Sequence, residues 1–262
     1  MNFISIRSDI QTEIREFLKL AIPLASAQVA QATTGFVDAV MMGWLGQEVL
    51  AAGGLATIIF MSFMMTGIGT ISGVSPLVAE AYGAKQNRWV GQVTRQGLWI
   101  ALLFAIIGMQ IIANLDGLMQ QFGQTATTVT LADTYLNIMA WGLFPAIAFG
   151  VLRGCIVSLS QARPVMLIVI TATGLNIISN YILAFGKLGF PEMGIAGLAV
   201  ASICAHWFMF LSLLGYLLWH KVLHQYELFQ NPHRLEPKII QQLLWVGIPI
   251  GIATALEYGL FT

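Results

Sequence analysis

The residues best equipped for chemistry in this chain sit where water is scarce. Asp38 lies in TTGFVDAVMMGWLG, inside a run from Ala21 to Leu45 that is otherwise apolar, small or uncharged. Within a membrane span such a group costs about 2.5–3.5 kcal/mol at the bilayer centre, so it faces protein or a water-filled cavity. Asn176 and Asn180, in GLNIISNYIL, are four residues apart and share one helical face. Tyr135 in ADTYLNIM and Ser202 at the end of PEMGIAGLAVAS add a phenol and a hydroxyl. Gln31, seven residues before Asp38, falls on nearly the same face about two turns away. A carboxylate among such groups can hold a proton or bind a small cation, because desolvation and neighbouring donors pull it in opposite directions. Poised in this way, it can couple ion movement to helix rearrangement. The same groups can also act simply as hydrogen-bonding glue between helices. Glu257, in TALEYGLF, is a second embedded acid about 19 residues past Lys238, or near 28 Å along a regular helix.

The elements that position these groups follow from composition. The 262 residues are 57% hydrophobic and 9% charged, with mean hydropathy +0.78. Soluble domains carry roughly 25% charged residues, so this chain reads as an all-α polytopic membrane protein. Its net charge of zero offers nothing for nucleic acid. Cys155 and Cys204 both lie in apolar runs with no CxxC pattern, so neither a disulfide framework nor a metal centre is indicated. No nucleophile–base pattern accompanies His206, which reads as an interhelical hydrogen-bonding group, and an enzyme is not expected.

Stretches long enough to span a bilayer run over 17–43, 49–79, 91–115, 130–158, 164–184 and 194–219, and a seventh begins near Lys238. The domain reading is therefore an amphipathic cytoplasmic segment at 1–16, with Phe3, Ile6, Ile10, Ile14 and Phe17 in helical spacing, a six-helix bundle at 17–220, a linker at 221–237 and the start of a further helix at 238–262. Of the twelve Lys and Arg residues, all but Lys187 fall on one face, which the positive-inside rule makes cytoplasmic. The N-terminus is expected inside. Measured from opposite faces, Asp38 at about 28 Å from Lys19, Asn180 at roughly 24 Å from Pro164 and Ser202 about 12 Å below the outer start of its span reach a common depth in the outer half.

The first span opens LKLAIPLASA and the seventh LWVGIPIGIA, so Pro23 and Pro249 align 226 residues apart. Six spans separate them, so both helices start on the same side, the pattern of a parallel repeat. The expectation is one complete lobe and the first helix of a second, because a helix cut within a span leaves backbone and apolar surface without partners. Pro76 and Pro145, with Pro23 and Pro249, mark places where a helix can bend.

Several segments together resemble the multidrug and toxic compound extrusion (MATE) family. They are DAVMMGWLGQEVLAAGGLA, SPLVAEAYGAKQ, VLRGCIVSLSQARPVM and PEMGIAGLAVAS, in the family's order and spread over essentially the whole chain. The resemblance implies two six-helix lobes around a central cavity, of which this chain holds the N-terminal one and a truncated seventh helix, with the C-terminal lobe as its missing partner. It also implies export of organic cations and amphipathic compounds in exchange for entering sodium ions or protons, without a resident cofactor, in the plasma (inner) membrane. By motif position, Asp38 matches the coupling carboxylate. Asn176, Tyr135 and Ser202 match its polar partners and Gln31 a cavity-facing glutamine. Glu257 matches the seventh-helix acid of the NorM-like branch, a possible sodium ligand. Asn180 stands where other members carry Asp, which favours that branch. A lipid-linked precursor flippase, expected to have a basic cavity, and a non-transporting membrane scaffold, expected to lack converging polar groups, are the rival readings.

Overall fold

A computed structural model describes residues 3–121, 123–226 and 234–260. Its elements are α1 (Phe3–Leu45), α2 (Gln47–Thr70), α3 (Val74–Gly83), α4 (Asn87–Ile112), α5 (Asp116–Gln121), α6 (Ala126–Ala140), α7 (Leu143–Ser158), α8 (Ala162–Ala184), α9 (Ile195–Trp219), a short 3₁₀ helix (Lys221–Tyr226) and α10 (Pro237–Leu260). Large apolar side chains such as Leu103, Leu167, Trp219 and Trp245 point outward. That arrangement suits lipid rather than water as the surrounding medium.

Among the described residues, five helical segments are long and apolar enough to cross a membrane, one of them α2 and α3 together (Gln47–Gly83), or six when α6 and α7 count as one span bent by 46°. Helix α1 is not among them, because Gln28, Gln31 and Asp38 dilute its hydropathy. These are the same residues that α1 turns toward the interior of the bundle. The amphipathic segment expected at 1–16 is not set apart from the first span. From Phe3 the backbone continues through it as one 43-residue helix. Met1, Asn2 and the side chains of the expected stripe at Phe3, Ile6 and Ile10 lie outside the described residues.

Two spans expected to be continuous are broken. The second divides at Ile71–Gly73 and the fourth at Trp141–Gly142. Each break is followed by a proline three residues into the next helix, Pro76 and Pro145. A proline has no N–H for the carbonyl four residues back, here Ser72 and Trp141, and its ring crowds that carbonyl. Pro23 and Pro249, by contrast, lie inside unbroken helices.

Short approaches set how the helices meet. A Cβ on Gly197 would stand 2.7 Å from the Leu183 carbonyl, so only glycine lets α9 close on the end of α8 and bring Ser202 opposite Asn176. Helix α10 lies against α2 in the same way. A Cβ on Gly247 would run into the Thr70 carbonyl oxygen, and one on Gly251 would meet the Thr70 hydroxyl at 2.7 Å. The part of the expected linker that is described is docked, not loose. Glu236 pairs with Arg95 at 3.6 Å and accepts from Gln92 Nε2 at 2.9 Å, while Gln96 Nε2 donates to the Arg234 carbonyl at 2.9 Å. Arg95, counted among the basic residues of the cytoplasmic face, is thus buried within α4. Residues 227–233 of the linker lie outside the described residues.

Gly247→Val should force α10 away from α2 and destabilise the protein by about 1–3 kcal/mol, the range for overpacking. The readout is the thermal unfolding midpoint in detergent. An unchanged midpoint would show that the two helices are not in close contact.

Candidate functional site

Helices α1 and α8 run side by side in the same direction. Thr173 Oγ1 donates to the Ala30 carbonyl at 3.3 Å and Thr34 Oγ1 to Thr173 Oγ1 at 3.1 Å. Further along the same seam, Asn180 Nδ2 donates to Asp38 Oδ1 at 2.5 Å. The sequence separations of these contacts, 139 to 143, stay nearly constant, as a parallel pair requires. Asn180 Nδ2 also donates to Asn176 Oδ1 at 3.1 Å. Asn176 Nδ2 in turn reaches Ser202 Oγ at 3.4 Å. Tyr135, from α6, has its hydroxyl within hydrogen-bonding reach of Thr57 and Ser202 and lies close enough to Asp38 to feel its charge.

Five helices therefore bring polar side chains to one level. Asn176, Asn180, Tyr135 and Ser202 are all buried, and Asp38 is partly buried at the edge of the cluster. The row runs carboxylate, amide, amide, hydroxyl, phenol. Both amide hydrogens of Asn180 serve acceptors, which leaves its carbonyl oxygen, Oδ1, buried with no partner among the described residues. The cluster thus holds one carboxylate and one spare amide oxygen, both hard oxygen donors of the kind that suit protons and small hard cations. Among the described residues, no group of three or more His, Cys, Asp and Glu side chains could hold a metal ion.

The cluster opens into a cavity of about 890 Å³ walled mainly by α1, α2, α7, α8 and α9. Asp38, Asn176, Tyr135, Ser202 and Gln31 all line it, while Asn180 stands behind Asp38 and Asn176 and does not. Most of the remaining wall is apolar, with Met42, Met61, Met64, Met65 and Met209 supplying deformable thioethers. Glu257 is not part of this assembly. It is exposed on α10 and does not line the cavity.

Three participants carry no sequence signal that would assign them here. Thr57 sits in an apolar run with nothing to distinguish it. Charge counting places Arg153 at the cytoplasmic rim, yet it lines the cavity. His206 also lines the cavity, one turn beyond Ser202 on α9. Among the described residues it does not make the expected interhelical hydrogen bond: its Nδ1 is buried without a partner there, and its ring lies 6.0 Å from that of Phe60.

Two substitutions separate the cluster from the outlying acid. Asn176→Leu strands Asn180 and Ser202, so it should destabilise the protein by about 1–3 kcal/mol, the cost of leaving buried polar groups unsatisfied. Glu257→Gln, at an exposed position, should change stability by less than about 0.5 kcal/mol. Thermal melts in detergent compare the two, and the reverse ranking would mean that Asn176 does not hold the polar row together.

Residues 23–182 match the sequence model of the MatE family. The chain is 70% identical over 261 residues to a protein of Synechocystis named "Probable multidrug resistance protein NorM", covering 100% of this chain and 57% of that one. It is 46% identical over 253 residues to a Synechococcus protein of the same name, covering 97% of this chain and 54% of that one. Its fold matches the crystal structure of the eukaryotic MATE transporter AtDTX14 with a TM-score of 0.84 at 18% identity, over 95% of this chain and 54% of the other. The chain spans about half the length of the curated relatives it matches. With a family match over more than half its residues and the bundle arranged as in a solved MATE structure, the chain is a member of the MatE family.

Proposed function

We propose that this chain forms the N-terminal lobe of an ion-coupled antiporter that exports cationic and amphipathic compounds by alternating access. The observation that carries the proposal is the Asp38–Asn180 contact at the edge of a large, mostly apolar cavity. A carboxylate there offers a cationic substrate the one anionic partner among the described residues of this wall, and the methionine-rich surface offers apolar bodies of varied shape a deformable contact.

Asn180 suits a site that must exist in two states. Its Nδ2 donates to the carboxylate form of Asp38, and an amide flip would present Oδ1 to the carboxylic acid form. For sodium, the same Oδ1 and the carboxylate supply two hard oxygen ligands. An entering ion that binds Asp38 more tightly in one conformation shifts the lobe toward that conformation, and only such differential affinity can drive the cycle. Glu257 would act in the second lobe, as a sodium ligand completed by residues beyond this chain. The orientation that goes with this reading places the N-terminus and linker on the cytoplasmic side of the plasma membrane, following the charge asymmetry. The converging polar groups argue against a bare scaffold. A single arginine on the cavity wall is thin support for a flippase of polyanionic lipid precursors.

In proteoliposomes holding the full-length protein, sodium and pH gradients imposed separately should identify the coupling ion, because only one should drive efflux of a cationic dye. Asp38→Asn should reduce that efflux to the level of empty vesicles while insertion stays normal. Wild-type rates from the variant would rule out the assignment.

A further inference from the structure

One ring on the cavity wall keeps a polar atom that the described residues do not use. His206 lies on α9 one turn beyond Ser202 and three residues before Met209, and all three line the cavity. Its two nitrogens have different surroundings. Nδ1 is buried with no partner among the described residues. It packs against the break in the fourth span, where a Cβ on Gly142 would lie 3.3 Å from it. The backbone at that point is already engaged. The Gly142 N–H donates to the Met139 carbonyl at 2.8 Å, and the Gly142 carbonyl accepts from the Ala146 N–H at 3.1 Å. Nε2 is not among the buried atoms, and it makes no hydrogen bond within the described residues. With Nδ1 turned to the start of α7 and the ring on the cavity wall, the edge that opens on the cavity is the one carrying Nε2.

This asymmetry fixes where the hydrogen sits. A neutral imidazole carries one N–H, and its surroundings decide which nitrogen holds it. On Nδ1 the hydrogen would be a buried N–H without an acceptor, which folded proteins avoid more strictly than an unused lone pair. On Nε2 it points into the cavity, where a ligand can accept it. The polar groups one turn away are occupied with one another: Ser202 accepts from Asn176, Asn176 from Asn180, and Asp38 from Asn180. The Phe60 ring, 6.0 Å from the imidazole, and Met209 make the rest of this part of the wall apolar. A hydrocarbon lying there strands the N–H, whereas a carbonyl satisfies it, and a polar group in an apolar pocket discriminates between ligands in that way.

We propose that His206 is a specificity-determining residue of the cavity, donating from Nε2 to a carbonyl oxygen on the apolar body of a cationic substrate. The inference rests on the export reading and adds a chemical preference to it. Asp38 meets the charge of the substrate, and His206 tells a body with an acceptor from one without.

The test uses two cations that differ in one group: pentyltriphenylphosphonium and (4-oxopentyl)triphenylphosphonium, which carries a ketone in the chain. Both are titrated by calorimetry into the purified full-length protein, and the readout is the ratio of ketone to alkyl affinity. His206→Leu should lower that ratio about fivefold, the scale of one neutral hydrogen bond. His206→Gln, which keeps an N–H donor, should restore the ratio to within about twofold of wild type. An unchanged ratio in folded His206→Leu, or an equal fall in both variants, would overturn the role of His206 while leaving the export reading standing. Should neither variant fold, nitrogen-15 spectra of histidine-labelled wild type carry the test. The ketone should shift one Nε2–H imidazole signal that the alkyl cation leaves in place, and the absence of such a shift would overturn the proposal. A wild-type protein that binds neither cation would overturn both readings.

Discussion

A negative charge at membrane depth must find partners, and this constraint organises the lobe. Leaving Asp38 against hydrocarbon would cost a few kcal/mol, comparable to a sizeable part of a protein's net stability. Asn180 meets the carboxylate, Asn176 holds Asn180, and Ser202 and Tyr135 close the row. Each partner imposes a backbone requirement. Asn180 needs α8 to run parallel to α1, and the Thr34–Thr173 contact holds that register. Ser202 needs α9 to approach α8 closely, and Gly197 permits it. The polar cluster and the small-residue seams are thus one solution to one problem.

Much of this is legible in the sequence, because a buried charge and a pair of amides four residues apart are rare in apolar runs and carry their own depth marks. The helical bundle follows from hydropathy, and the parallel course of the first and fifth spans from counting membrane crossings. Other features are hidden for physical reasons. Pro76 and Pro145 mark where a helix can bend, but the breaks before them do not interrupt the apolar pattern, so the sequence does not show that these two prolines break a span while Pro23 and Pro249 do not. Charge counting treats every arginine near a span end as rim, so it cannot see that Arg153 turns inward. His206 resembles a bridging group because a buried imidazole normally finds a partner, and here its Nδ1 has none among the described residues. Helix α1 shows the reverse case: the residues that give it a function are those that make it a weak hydropathy signal.

The seating of α10 and of the described end of the linker on the bundle is also specific. Helix α10 rests on α2 through Gly247 and Gly251, just before the break that opens α3. The end of the linker is held on α4 by Glu236, Arg95 and two glutamines. A movement of α10 would therefore act on the bundle at the α2–α3 break, a place where the helix lacks a continuous hydrogen-bond ladder and yields more easily than elsewhere. That break also contributes Ser72 and Ser75 to the cavity wall, so a movement there would be felt directly by whatever occupies it.

The central claim is that Asp38 and Asn180 stabilise each other within the membrane. A double-mutant cycle on the full-length protein, comparing unfolding free energies of wild type, Asp38→Ala, Asn180→Ala and the double variant, measures that coupling, because each alanine removes one partner of the hydrogen bond. Direct hydrogen bonding of a carboxylate to an amide predicts an interaction energy of about 1 kcal/mol or more. Free energies that add, to within about 0.3 kcal/mol, would mean that the two residues do not act on each other and that something other than the buried carboxylate organises the lobe.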